Sequence, residues 1–304
     1  MKYNALEIAR IIGQPVDPRR PYPHLVEAVC ETDSAAPNEY VYYFDVLQDT
    51  DTIHTITSTG ALTTVNVSPD TPVELTFADL ASPEYYVKLI DLAKAKEKVL
   101  ARKKATINRA LNAEENYQVV ALMDAAAIAR GNINSLQSGD TTFNYHALID
   151  MIDQIIDYSE NYTLVVGTAV DKDIKLWDWT DNKYHSLKSA LADLDVDIHR
   201  IKQTVTRDSV STDVLDSNIA YLCGKVTEEP GKPMLWVRKQ LNEIERLGGI
   251  IQEAGDKPER LVFVSPNPMT VSGTRYLAVG ITGFEEYTAA TTNSYAFSKF
   301  TRTQ

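Results

Sequence analysis

Five histidines, two cysteines and a short run of alternating aspartates are the side chains in this sequence that could bind a metal or attack a substrate. Metal binding needs ligands gathered at fixed spacing, whereas His24, His54, His146, His185 and His199 are scattered over separate stretches. Cys30 and Cys223 stand far apart in no paired motif. That excludes a disulfide scaffold or a cysteine-rich zinc site, and predicts two reduced, buried thiols in a chain made in a reducing cytoplasm. Asp193, Asp195 and Asp197 open like a calcium loop, but position six would be Ile198, where the bend needs glycine. Position twelve would be Thr204, which cannot supply the bidentate carboxylate. Alternation of these acids with Leu194, Val196 and Ile198 predicts a half-buried strand instead. Trp177 and Trp179 could share one strand face as a sugar platform, although core or interface packing is the plainer reading. No dinucleotide, phosphate-loop, nucleophile-elbow or zincin pattern occurs. No catalytic, cofactor-binding or metal residue is assigned, and no cofactor is expected.

The elements that must position any site belong to a chain of 304 residues, 44% hydrophobic and 24% charged, long enough to bury a sizeable core. No apolar run reaches the eighteen residues of a membrane span, and the first twenty residues lack the apolar core of a secretory signal. The formal charge of −12 argues against general attraction to nucleic acid. It is unevenly spread: between Lys88 and Arg109 eight basic residues face only Asp91 and Glu97, so that segment is +6 and the remainder −18.

Prolines 15, 18, 21, 23 and 37 predict an extended, helix-free path over residues 14–40. VYYFDV (41–46) and VELTF (73–77) read as strands. Between them, TIHTITSTGALTTVNV (52–67) is β-branched, uncharged and broken once at Ser58-Thr59-Gly60, too polar for a core and too apolar for a solvated loop. Ser82-Pro83-Glu84 is a helix-start signal. It opens thirty residues with Leu89, Leu92, Val99, Ile107 and Leu111 on one stripe. A second helix follows, ending at Gly131, then a loop over 132–142 and a helix over 143–159. Strands are predicted at 161–170, on both sides of a turn in 217–241, at 261–265, and at the C-terminus around a turn at Thr282-Gly283.

This order of elements, closing with AVGITGFEEYTAATTNSYAFSKF, resembles the major capsid proteins of tailed bacteriophages, the Hong Kong ninety-seven fold that encapsulin shells share. The resemblance covers nearly the whole chain and implies an α+β fold. It implies an N-terminal arm (1–38), an extended β loop (39–80), a peripheral domain with a long spine helix (81–142) and an axial α/β domain (143–241). C-terminal strands (242–304) would return to the peripheral domain. The threonine-rich ribbon then lies against a neighbouring subunit, with Ile53, Ile56, Thr57, Gly60, Leu62, Val65 and Val67 as contact residues. Lys94, Lys98, Arg102 and Lys104 would form an interior basic face toward packaged DNA.

The implied function is structural: self-assembly as pentamers and hexamers into an icosahedral shell around double-stranded DNA, in a virion assembled in a host bacterial cytoplasm. The implied partners are further copies of the chain, a separate scaffolding protein, a portal, a decoration protein and non-specifically bound DNA, with no membrane. No lysine occurs between Lys2 and Lys88, which excludes an isopeptide crosslink from the loop. An encapsulin-like compartment and a cytoplasmic α/β enzyme with an unrecognised site are the competing readings.

Overall fold

Two nearly continuous apolar runs, NYTLVV and IAYLCG, are satisfied only by burial on both faces of a sheet, and the fold is arranged around them. The structure, a computed structural model, describes residues 24–36, 38–44, 73–82, 85–88, 98–136, 140–177, 191–192, 194–207, 210–226, 231–239, 250–253, 260–265, 268–271 and 274–302. Its helices are α1 (Leu25–Val29), α2 (Lys98–Arg130), α3 (Tyr145–Asp153) and α4 (Thr168–Lys175). The strands run β1 (Cys30–Ala35), β2 (Val41–Phe44), β3 (Val73–Thr76), β4 (Ala78–Ala81), β5 (Tyr85–Lys88), β6 (Ile133–Ser135), β7 (Asn161–Val166) and β8 (Val196–Arg200). They continue with β9 (Thr204–Arg207), β10 (Val210–Asp213), β11 (Ile219–Lys225), β12 (Met234–Lys239) and β13 (Ile250–Glu253). Last come β14 (Arg260–Ser265), β15 (Pro268–Val271), β16 (Thr274–Thr291) and β17 (Phe297–Thr301).

A five-stranded sheet in the order β6-β17-β11-β7-β8 separates two cores. Because side chains alternate along a strand, Val165, Tyr221, Cys223 and Phe297 pack on one side with Ile107, Leu111, Met123 and Trp236. Leu164, Val166, Leu222 and Phe300 pack on the other with Leu148, Met151, Val170 and Ile174. The first core is closed by an eight-stranded sheet in which β16 pairs β12, β14, β15, β4 and β5, while β1 lies parallel to β12 at the edge. Gly224 is required where β11 meets the turn at Ile156–Tyr158, since a Cβ there would overlap the Ser159 side chain. Cys30 and Cys223 are free and buried, and burial pushes both thiol pKa values up, that of Cys223 to about 12.

The long helix α2 joins the layers through polar side chains as well as apolar ones. Glu115, 1% exposed, accepts from Arg238 Nη2 at 2.9 Å, and Arg238 Nε donates to Glu285 at 3.0 Å. Burial alone would lower the Arg238 pKa, but the two carboxylates outweigh it and hold the guanidinium charged. Nine residues further on, Asp124 accepts from the Tyr221 hydroxyl at 2.8 Å and from Lys299 at 2.6 Å, fastening the same helix to the smaller sheet. Asn116 accepts from the Leu25 backbone N–H at 3.0 Å and so seats α1. Gly131, at φ 73°, ends α2: its N–H donates to Ile128 O and the Asn132 N–H to Ala127 O, both at 3.1 Å.

Several expectations are corrected. Residues 14–40 are not wholly helix-free: α1 forms between Pro23 and Pro37 because Leu25, Val26 and Val29 reach the first core together. The Ser82-Pro83 signal does not start the long helix; Tyr85–Lys88 is a strand paired with Ala278–Ile281, a use that suits its aromatic and β-branched residues. The two predicted helices are one, since nothing between Lys98 and Arg130 breaks the ladder. The 132–142 loop contains β6, held parallel to β17. Thr282-Gly283 is no turn but the middle of β16, paired with Phe263 and Val262. The strand expected over the alternating aspartates begins only at Val196, after a turn with Asp195 at φ 51°.

Replacing Arg238 with Met strands two buried carboxylates and is expected to lower unfolding free energy by about 3–5 kcal/mol, measured by denaturant titration. Replacing Arg238, Glu115 and Glu285 together with Met and Leu is expected to recover most of that loss. Both thiols are expected to react with an aromatic disulfide reagent in denaturant but not in native buffer.

Candidate assembly surface

A two-stranded ladder flanks the sequence between Phe44 and Val73. Strands β2 and β3 are antiparallel, with Val41 opposite Thr76 and Phe44 opposite Val73. Among the described residues they pair with no other strand. A lone two-stranded ladder is marginal in water, so side-chain contacts must hold its root. Its surface is unusually apolar for an exposed element: Tyr40 is 81%, Tyr43 57% and Val73 39% exposed.

Two polar contacts fasten that root. The Tyr42 hydroxyl donates to Asp33 Oδ2 at 2.5 Å, tying β2 to β1. Burial first, and then Asp33, pushes the Tyr42 pKa up to about 12, so the phenol stays a donor at neutral pH. The second contact is made by Lys239 at the end of β12. Its ammonium lies 3.0 Å from Glu286 and within cation–π range of the Tyr40 and Phe77 rings, at 5.2 and 5.5 Å. Tyr40 precedes β2 and Phe77 follows β3, so one cation touches both legs of the ladder where they leave the larger sheet.

The expected contact residues Ile53, Ile56, Thr57, Gly60, Leu62, Val65 and Val67 lie outside the described residues, as does Lys94. Lys98 and Lys104 fall on α2, with side chains outside those described. Arg102 is on α2 and exposed. Its neighbour Lys103 is half-buried, with its ammonium 3.2 Å from the centroid of the Tyr85 ring, and burial lowers its pKa. The basic segment is thus partly spent on fixing β5 beneath the helix. Residues that the sequence reading missed, Asp33, Tyr42 and Lys239, act through the pairing of distant strands. No local pattern announces them.

The remaining chemistry is sparse. A cleft of about 510 Å³ opens beside β1, β7 and β8 and is lined by Glu31, Asp195, Asp197, Lys225 and Lys232 among others. Among the described residues no cysteine, serine, threonine or histidine lines it. Lys232 donates to the carbonyls of Glu27 and Cys30 at 2.8 and 3.1 Å, completing the end of α1. Among the described residues no group of three acids, histidines or cysteines could hold a metal ion, and no helix is long and apolar enough to cross a membrane. Trp177 donates to the Phe143 carbonyl at 2.7 Å and packs against the second core, while Trp179 lies outside the described residues.

No protein-family model matches the sequence, and no curated protein matches it. Similar solved structures do exist. A chain from Microbacterium phage Oxtober96 superposes at a TM-score of 0.62 with 13% identity over 99% of both chains. The capsid structure of cyanophage P-SCSP1u gives 0.54 with 12% identity over 95% of this chain and 90% of that one. A virus-like particle from Pyrococcus furiosus gives 0.51 with 10% identity over 92% of each. The chain therefore has the α+β fold of tailed-phage capsid proteins that the resemblance implied.

Removing the Tyr42 hydroxyl with Tyr42→Phe is expected to cost the ladder about 0.5–1.5 kcal/mol. Hydrogen exchange of residues 41–44 would read it as several-fold faster opening, with exchange in α2 unchanged.

Proposed function

We propose that this chain is the repeating subunit of a closed icosahedral shell, the major capsid protein of a tailed-phage head, assembling from pentamers and hexamers around double-stranded DNA. The observation that carries this reading is the likeness, over almost the full length of both chains, to a phage protein and to a phage capsid. The exposed β2–β3 ladder supports it, because an apolar, two-stranded root is costly on a solitary subunit and useful where a neighbour covers it. Residues 1–38 act as the arm, 39–80 as the extended loop, 81–142 with α2 as the spine of the peripheral domain and 143–241 as the axial domain. Residues 242–304 return strands to the peripheral domain. Strand β12 joins the larger sheet and β17 the smaller one, so each segment lends a strand to the other's sheet.

The protein's role is geometric and non-enzymatic. Ile53, Ile56, Thr57, Gly60, Leu62, Val65 and Val67 lie against the next copy, and small changes of angle at the loop and arm let the same contacts close both rings. Lys94, Lys98, Arg102 and Lys104 face packaged DNA and offset phosphate repulsion without reading sequence. Scaffold, portal and decoration proteins complete assembly in the host cytoplasm. Shell strength comes from non-covalent interfaces, since the loop carries no lysine to crosslink. The likeness to a virus-like particle favours one second reading, a shell that stores a protein cargo.

Negative-stain microscopy of the purified protein tests the shell. Closed particles are expected from the full chain and none from a variant lacking residues 54–66; intact particles from the deletion would refute the role given to the loop. The nucleic-acid content of the particles separates a phage head from a cargo shell. Lys94→Glu, Lys98→Glu and Lys104→Glu together are expected to reduce retained DNA and flatten its salt dependence.

A further inference from the structure

The seat of the β2–β3 ladder contains a charge imbalance that its packing does not require. Asp79 on β4 is directly opposite Glu286 on β16. Like charges in that position weaken a strand pair. One ammonium serves both: Lys239, 3.0 Å from Glu286 and also held against the Tyr40 and Phe77 rings. Helix α2 touches β4 as well, but among the described residues only Glu286 and Lys239 act as charges on Asp79. Glu285, next along β16, is engaged with Arg238 in the core.

We propose that Asp79, Glu286 and Lys239 form a proton-sensitive seat that holds the β2–β3 ladder loosely at neutral pH and firmly when a proton neutralises one carboxylate. Strand β4 follows β3 after Phe77 alone, so tightening β4 on β16 steadies the ladder directly. Burial, and then Glu286, raises the Asp79 pKa, with Lys239 opposing. The folded state therefore takes up a proton at a higher pH than the unfolded chain does. Its stabilisation is absent at neutral pH and appears as pH falls through the raised folded value. Lys239 acts separately: removing its charge leaves both acids uncompensated and releases both aromatic legs.

The test is hydrogen exchange of the intact subunit from pH 8 down to about pH 3.5, just below the ordinary carboxylate value, corrected for intrinsic rates, with peptides from α2 as the control for global stability. Residues 73–81 of the wild type are expected to gain about two- to fivefold protection on acidification, the range of one cross-strand charge pair. Asp79→Asn is expected to hold the acid level of protection at every pH. Lys239→Met is expected to exchange faster at neutral pH and to respond more steeply to acid. A pH profile of Asp79→Asn that matches the wild type, or wild-type protection that falls with acid while α2 is unchanged, would overturn the seat. The measurement is made on the unassembled subunit, so it does not depend on whether a shell forms.

Discussion

A guanidinium clamped between two buried carboxylates is the constraint on which the rest of this structure turns. Arg238 joins β12 to β16 through Glu285 and to α2 through Glu115, all three nearly out of water. Such a triad contributes little net stability against an apolar replacement, because desolvation cancels much of the attraction. Its value lies in register. A helix of 33 residues could slide along an apolar sheet at small cost, but not once the buried Glu115 carboxylate is fixed on Arg238. Once Glu115 is placed, Asp124 falls beside Tyr221 and Lys299, and the Gly131 turn delivers β6 to the edge of the smaller sheet.

The same logic extends to the ladder root, where polar contacts again decide placement. Tyr42 with Asp33, and Lys239 with Glu286, Tyr40 and Phe77, set where the ladder sits on the body. These contacts are more exposed than the Arg238 triad and correspondingly weaker. The body is thus fixed by buried charge and the ladder by contacts nearer the surface.

Much of this was legible in the residues themselves. NYTLVV announced a buried strand, though it ends at Val166 and α4 takes over the rest of 161–170; Ile107 and Leu111 announced the inward stripe of the long helix, and VYYF and VELT two strands. Residues 82–88 misled because capping signals are local, whereas the β16 edge that captures Tyr85–Lys88 lies nearly two hundred residues away in sequence. Thr282-Gly283 misled for the complementary reason: a residue pair that favours turns is tolerated inside a strand when partners flank it. The contacts of Lys239 were invisible because they depend on which strands become neighbours. The basic run was visible, but not that Lys103 would be spent on an aromatic ring. The threonine ribbon, the most suggestive stretch of the sequence, lies outside the described residues.

The sheet β6-β17-β11-β7-β8 has no wet face over its middle strands, since each side backs onto a separate core. It is a shared wall between two rooms. A push on the α3 and α4 flank meets a single layer of strands and then the packing of the long helix. Close-packed interiors yield little under load, so strain on one flank reaches the other through that wall, as through a bulkhead.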